Sequence, residues 1–294
     1  ALNVSLGLMI GVSVAVARAL GEKDGPKARV LATHSLYLGL CVVAVIAGAG
    51  ALTIDPVFTM PGAPPELLPD LNAYMLVWYG SSVFLIVPMM LNGVLRAHGD
   101  AIAARNVMIL AAILNGILDP LLIFGWGGFP ALGLQGAALA TGISRAITFV
   151  YALVVASRLQ ALDLHIPKAG AFVSSVTTIL RVGIPATLTN VLGPIATAAV
   201  TAIVATHGAA AVAAYGIGGR MDSLMLIPPI ALSSGLGPFV GQNWGAHLPH
   251  RVREAVRMSA WFSIVWGLGA GVVMLLGAPW IAAIFTDDAQ VAGD

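Results

Sequence analysis

The chain alternates long apolar stretches with short polar connections. Uncharged runs cover residues 30–54, 71–95, 106–118, 133–144, 182–206, 208–219 and 258–286. Several reach the ~20 residues that a helix needs to cross the hydrocarbon core of a bilayer. They lack the two-residue alternation of a membrane β-strand, so the pattern predicts helices. Eight spans are expected, at about 1–18, 30–54, 71–95, 104–125, 134–157, 182–206, 209–244 and 256–278. The seventh holds Arg220 and Asp222 and is long enough to divide, but dividing it would move Arg251, Arg253 and Arg257 to the opposite side. It is therefore expected to be one helix, tilted or irregular around Gly216, Gly218 and Gly219 and again at Pro228 and Pro229.

Composition agrees with the pattern. Of 294 residues, 59% are hydrophobic and 9% charged, with a mean hydropathy of +0.94, against a charged share of about 25% in soluble domains. This is the composition of an all-α integral membrane protein, and the lipid bilayer is its first partner. Twelve of the fourteen Lys and Arg fall in four connections: Arg18, Lys23, Lys27 and Arg29; Arg96 and Arg105; Arg158, Lys168 and Arg181; Arg251, Arg253 and Arg257. The intervening connections, 55–70, 126–132, 206–209 and the tail after 286, contain neither residue. Basic loops stay cytoplasmic, so the alternation predicts a multi-pass protein of a bacterial or archaeal plasma membrane, with both chain ends outside. Spread over four loops, the basic residues form no patch for nucleic acid. The single cysteine, Cys41, lies within a span and argues for no disulfide. Catalysis has no support, because the sequence holds no His-Glu-x-x-His, no Gly-x-Ser-x-Gly and no paired intramembrane carboxylates.

The stretch from Gly11 to Ser35 returns 224 residues later. Gly11 matches Gly235 (235 − 11 = 224), Val16 Val240, Gly21 Gly245, Arg29 Arg253 and Ser35 Ser259. A small-residue stripe is shared, with Ser13, Ala17 and Gly21 corresponding to Gly237, Gly241 and Gly245. Such stripes let helix backbones approach closely in lipid. An offset of six helices keeps both copies in the same orientation, which implies parallel repeats about an axis along the membrane normal. It also implies one helix before Ala1 and about three after Asp294. The expected organisation is an N-lobe over 1–160, a cytoplasmic linker over 161–181 and a partial C-lobe over 182–294. Within the linker, residues 171–179 read either as a short interfacial helix or as simple connection.

Asp119, followed by Pro120, is the one charged residue between Asn106 and Leu134. A charge at the centre of a bilayer costs about 2.5 to 3.5 kcal/mol on insertion scales, so an intramembrane acid marks a functional site by default. Pro120 lacks an N–H and frees a carbonyl one turn back, near Gly116, as an oxygen ligand. Asn115, four residues earlier, shares the helical face. Ionised, Asp119 can hold Na⁺ among neutral oxygens; protonated, it packs more cheaply, and desolvation favours that form. The competing reading is a structural acid satisfied by neighbouring Ser or Asn.

The segments ARALGEKDGPKAR (17–29), LNGVLRAHGDAIAARN (91–106), LNGILDPLLIFG (114–125), GLQGAALATGISR (133–145) and ALSSGLGPFVGQNWGA (231–246) resemble the multidrug and toxic compound extrusion (MATE) family. The resemblance implies a twelve-helix fold in two six-helix lobes, here the second to ninth helices. It also implies a monomeric secondary antiporter that exports small organic, often cationic, compounds in exchange for H⁺ or Na⁺, with no cofactor. The 115–119 segment is most similar to the DinF branch. There the resemblance assigns the N-lobe cation site to Asn92, Asn115, Asp119 and Thr141, with a further Asp on the first helix of the family. Without that helix the chain alone is expected to transport inefficiently. The NorM branch couples through a carboxylate on the seventh helix, and 182–206 contains none.

Other polar and aromatic residues carry paired readings. Arg145 either snorkels or pairs with a carboxylate, with substrate contact as the alternative. Arg220 and Asp222 are two apart and face different ways; both are candidates for a C-lobe cavity. Tyr79 and Met89 or Met90 are candidate cavity residues, since soft surfaces suit varied ligands. His34 and His207 read as packing or interface residues, and Tyr74, Trp78, Trp126, Trp244 and Trp280 as interfacial anchors. A lipid-linked precursor flippase is the rival function. It would need a cationic groove, for which Arg145 and Arg220 are the available residues.

Overall fold

The computed structural model describes residues 2–59, 75, 78–80, 82–128, 130–163 and 168–285, with no β-strand among them. The elements are α1 (Leu2–Gly21), α2 (Gly25–Thr59), α3 (Val83–Ala97), α4 (Ala101–Ile123), a 3₁₀ turn at Trp126–Gly128, α5 (Gly133–Arg158), α6 (Ala169–Ala205), α7 (Ala209–Met225), α8 (Ile227–Gly245) and α9 (Pro249–Phe285). Among the described residues seven helices are long and apolar enough to cross a bilayer, and the bent pair α7–α8 makes an eighth. Tyr74, the connection from 60 to 70 and the tail from 286 lie outside the described residues.

Helix α1 is the centre of the packing, touching α2, α3, α6 and α8. Its Leu8, Val12 and Val16 are buried in the main apolar cluster. Small residues bring its neighbours close. A Cβ on Gly7 would overlap Thr187 of α6, one on Gly11 would meet the Ile179 carbonyl of α6, and one on Gly93 of α3 would meet the Met9 carbonyl. Backbone contacts of this kind supply the van der Waals packing that replaces the hydrophobic drive in lipid.

The internal repeat is visible at the crossing of α1 and α8. A side chain on Gly21 would overlap the Gln242 carbonyl, and one on Gly245 would overlap the Arg18 carbonyl. These contacts are images of each other under the offset, since 245 − 21 and 242 − 18 are both 224. Ala17 and Gly241, also images, touch each other, so the pseudo-twofold axis passes between them. The turns that follow repeat as well. Lys23 (φ 59°) and His247 (φ 56°) occupy the left-handed region at equivalent places. Lys23 N donates to the Leu20 carbonyl and Asp24 N to that of Ala19, while His247 N donates to Trp244 and Leu248 N to Asn243. This is the paired bonding of a Schellman motif, which satisfies the last carbonyls of a helix. The same pattern closes α3 at Gly99 and α5 at Gln160.

The described turns at the ends of α1, α3, α5 and α8 are the basic connections read from sequence, and they gather at one end. Gln242 Nε2 donates to the Ala97 carbonyl at 2.7 Å, Asp163 N to Thr33 Oγ1 at 2.8 Å, and His34 Nδ1 lies 2.8 Å from Ser175 Oγ. In the first turn Glu22 receives Lys27 at 2.8 Å and Arg18 at 3.1 Å. The Lys27 hydrogen bond leads the effects that hold its carboxyl below the usual range.

Two expectations need correction. Residues 171–179 are neither a separate interfacial helix nor a simple connection; they lie in the opening turns of α6, which continues to Ala205. Phe172, Ser175, Ile179 and Gly183 recur at helical spacing across the expected boundary. Ser175, Ile179 and Gly183 are buried, so one face packs inward without interruption. The seventh span breaks at Leu226, where the helices on either side bend by 43°. Gly216, Gly218 and Gly219 stay within regular helix α7, whereas Pro228 and Pro229 sit in the first turn of α8, where a missing N–H is tolerated.

The crossing makes a prediction. Gly21→Ala and Gly245→Ala should each destabilise the protein by about 1–3 kcal/mol, as expected for overpacking, and by similar amounts. Gly267→Ala, at a position in α9 with open space around it, should change stability by less than about 0.5 kcal/mol. Thermal unfolding in detergent checks this, and a neutral Gly21→Ala would show that close approach is not required.

Candidate cation site

Helices α4 and α5 run antiparallel and pack extensively together. Asp100 caps α4 by accepting the Ala103 N–H at 2.8 Å. At the other end Leu132 N donates to the Leu122 carbonyl at 3.0 Å. A side chain on Gly136 would overlap that same carbonyl. With its far end drawn onto the start of α5, α4 presents its polar residues to α5 in fixed register.

Three of the four expected cation-site residues meet there. Asn115 Nδ2 donates to Asp119 Oδ1 and to Thr141 Oγ1, each at 3.4 Å. Both distances lie beyond the usual 2.7–3.2 Å, so the cluster is loosely closed. All three side chains are partly buried, and nothing fills the space where a Cβ on Gly116 or Gly142 would stand. Asp119 makes no ion pair among the described residues. Its place on α4 is four residues from Ile123, roughly 6 Å from the helix end, so it lies in one half of the span and not at its centre. Pro120 removes the N–H that would otherwise bond the Gly116 carbonyl, leaving that oxygen without an in-helix donor from position 120. One carboxylate among neutral oxygens is a donor set for a proton or a hard monovalent cation.

Asn92 does not join the cluster. It is buried on α3, where its Nδ2 donates to the Ala104 carbonyl at 3.3 Å and its Oδ1 accepts Arg96 Nε at 2.8 Å. Ala104 lies eleven residues before Asn115, roughly 16 Å along α4. Asn92 thus fastens α3 to the opposite end of α4, and Arg96 engages its oxygen.

The remaining candidates lie elsewhere. Tyr79 is partly buried with its ring over Gly50 of α2, and it meets Trp78 edge to face at 5.6 Å. Met89 is partly buried against the main core cluster, and Met90 is fully buried in it. Arg220 and Asp222 are exposed on α7 and form no ion pair among the described residues. Arg145 is one turn from Thr141 on the same face of α5 and partly buried. The expected carboxylate partner is absent among the described residues. His34 is a packing residue between α2 and α6, edge to face with Phe172 at 5.6 Å, and His207 is exposed in the turn after α6. Sequence reasoning missed Gln242. Its signal was present in the repeat, because it stands at the image of Arg18 inside the small-residue stripe.

Known proteins are similar over the whole length. The MatE family profile matches residues 1–121 and 185–293. The FAD transporter of Shewanella oneidensis is 36% identical over 293 residues, covering 98% of this chain and 64% of that protein. The multidrug export protein MepA of Staphylococcus aureus is 28% identical over 298 residues, covering 99% and 64%. A crystal structure of a mutant of the Vibrio cholerae MATE transporter VcmN superposes with a TM-score of 0.91 at 27% identity, covering 99% of this chain and 65% of that one. The chain thus spans about two thirds of the length of these relatives, which are transporters and not enzymes.

The division between Asn92 and Asn115 is testable. Asn92→Ala removes buried bonds, one of them to a charged donor, and should lower stability by about 1.5–3 kcal/mol. Asn115→Ala, which removes two long contacts in a half-open cluster, should lower it by less than about 1 kcal/mol. Denaturation of the two variants under identical conditions reads the difference, and equal losses would contradict the separation of roles.

Proposed function

Because the chain belongs to the MatE family, we propose that it works as a secondary antiporter of the cytoplasmic membrane, exporting small organic compounds in exchange for H⁺ or Na⁺. The observation that carries this reading is the convergence of Asn115, Asp119 and Thr141 at 3.4 Å on two packed helices. When ionised, Asp119 attracts a cation that the Thr141 and Gly116 oxygens help to coordinate, joined by the Asn115 oxygen once its amide turns over, since Nδ2 faces the cluster in the closed arrangement. When protonated, it becomes a neutral donor. The two states favour different closures of α4 against α5, which is the differential interaction that an alternating-access cycle requires. The basic turns, including the α1–α8 crossing, face the cytoplasm in this reading.

A second reading concerns the cargo. Arg145, unpaired and one turn from Thr141, is suited to an anionic, phosphate-bearing compound of the kind named for the Shewanella relative, or to a lipid-linked precursor.

In membrane vesicles carrying the protein, efflux of ethidium and of FAD is to be measured under an imposed pH or Na⁺ gradient. Asp119→Asn should lower gradient-driven efflux at least about tenfold while insertion is unchanged, the loss expected of a group essential to coupling. Unchanged transport would remove Asp119 from the mechanism. Arg145→Gln should abolish FAD efflux and spare ethidium if the cargo is anionic; ethidium efflux without FAD efflux in the unmutated protein would favour organic cations.

A further inference from the structure

A cavity of about 320 Å³ opens between the start of α4 and the end of α5, at the basic end of the molecule. Asp100, Asn106, Tyr151 and Arg158 supply its polar lining, with Ile102 and Val155 among its apolar walls. Arg158 is exposed and makes no side-chain hydrogen bond or ion pair among the described residues. Arg105 reaches towards the same wall, donating to Asn106 Oδ1 through Nε at 3.4 Å and Nη2 at 3.3 Å. That leaves the Asn106 amide N–H₂ and the Tyr151 hydroxyl to donate into the space. Asp100 is the acid in the lining, and its Oδ1 is already engaged by the Ala103 N–H. The lining holds one guanidinium, Arg158, and one carboxylate, Asp100, whose Oδ1 is engaged in capping α4. Arg105, bonded to the lining Asn106, adds a second guanidinium at the rim.

The cavity lies at the level where both helices leave the membrane. Ala101 begins one candidate span and Arg158 ends another. Exposed apolar side chains lead away from it along both helices: Ile102 and Ile109 on α4, Val150 and Val154 on α5. Its volume falls at the small end of ligand sites, enough for a headgroup and not for a whole amphiphile. A polar, cationic mouth continuous with an apolar track at the interface matches a molecule with an anionic head and a hydrocarbon tail.

We propose that this cleft is a binding site for an anionic phospholipid, with the phosphate held by Arg158 and Arg105 beside Asn106 and Tyr151 and the acyl chains lying along α4 and α5. The site is separate from the Asn115–Asp119–Thr141 cluster and does not depend on the antiport reading.

The test uses the purified protein with phosphatidylglycerol, phosphatidylcholine and inorganic phosphate as separate probes, reading bound lipid by native mass spectrometry. Phosphatidylglycerol should be retained in preference to phosphatidylcholine, and inorganic phosphate should not displace it. Each of Arg158→Gln and Arg105→Gln should weaken phosphatidylglycerol binding about fivefold, the increment expected of one basic residue near a membrane surface. Arg253→Gln, the same change of charge in another basic turn, should leave binding unaltered, and unchanged thermal unfolding confirms that each variant is folded. Equal weakening by Arg158→Gln and Arg253→Gln would mean a diffuse attraction and overturn the proposal. Displacement by inorganic phosphate, or no preference between the two lipids, would overturn it as well.

Discussion

The fold depends on how closely two helix backbones can approach at one point. Where α1 crosses α8, Gly21 lies against the Gln242 carbonyl and Gly245 against that of Arg18. In lipid, apolar side chains gain little by leaving their surroundings, so helix association has to come from dispersion and polar contacts at short range. A Cβ at either position would push the backbones apart and remove that contribution. The pseudo-twofold relation gives both positions the same geometry. One small-residue pattern, present twice in the sequence, thereby joins the two copies and brings the basic turns to a common end. Gln242 adds a polar tie to the Ala97 carbonyl beside the crossing.

The candidate cation site obeys the opposite rule. Its contacts are long, its side chains are half exposed, and glycines at 116 and 142 leave room around it. A group that exchanges protons or ions cannot be locked by short, saturated bonds, because its affinity has to differ between two arrangements. Asn92 shows the contrast within the same pair of helices. Its buried amide engages both ends, accepting from the charged Arg96 at 2.8 Å and donating to the Ala104 carbonyl at 3.3 Å, which suits a fastener.

The helices were readable from sequence because hydropathy in a membrane protein reflects a constraint that applies to each span separately. The grouping of the basic turns at one end of the molecule was equally foreshadowed by the positions of Lys and Arg. What escaped was decided by packing. The face Phe172–Ser175–Ile179–Gly183 carries α6 through a stretch that polarity alone assigned to a linker, since the basic Arg181 is exposed on the other side. Of the two places where the seventh span was expected to be irregular, the glycines at 216, 218 and 219 lie in unbroken helix α7, whereas the bend does fall beside Pro228 and Pro229, which begin the next helix. At the site, the i, i+4 spacing of Asn115 and Asp119 was legible, and Thr141 came only from family resemblance. Asn92 belonged to the same set by motif, but spacing within one helix could not reveal that it meets α4 about three turns away from Asn115.

That displacement gives Asn92 a different part to play on the antiport reading. Asp119 and Ala104 lie on one helix, so a rocking of α4 that accompanies a change at Asp119 is carried to the Ala104 carbonyl. There Asn92 grips α3, and the end of α3 at Ala97 is held by Gln242 of α8 beside the crossing. The contacts form a continuous route from a half-open acid near one end of α4 to the closed junction at the basic end. Each link is either a helix or a hydrogen bond, buried at Asn92 and partly buried at Gln242, the kind of element through which two sites would bias a shared equilibrium. The route needs no residue outside α3, α4 and α8. On that reading a loose site and a tight seam fit together, because an ion bound at Asp119 would change the angle of a lever whose other end is pinned.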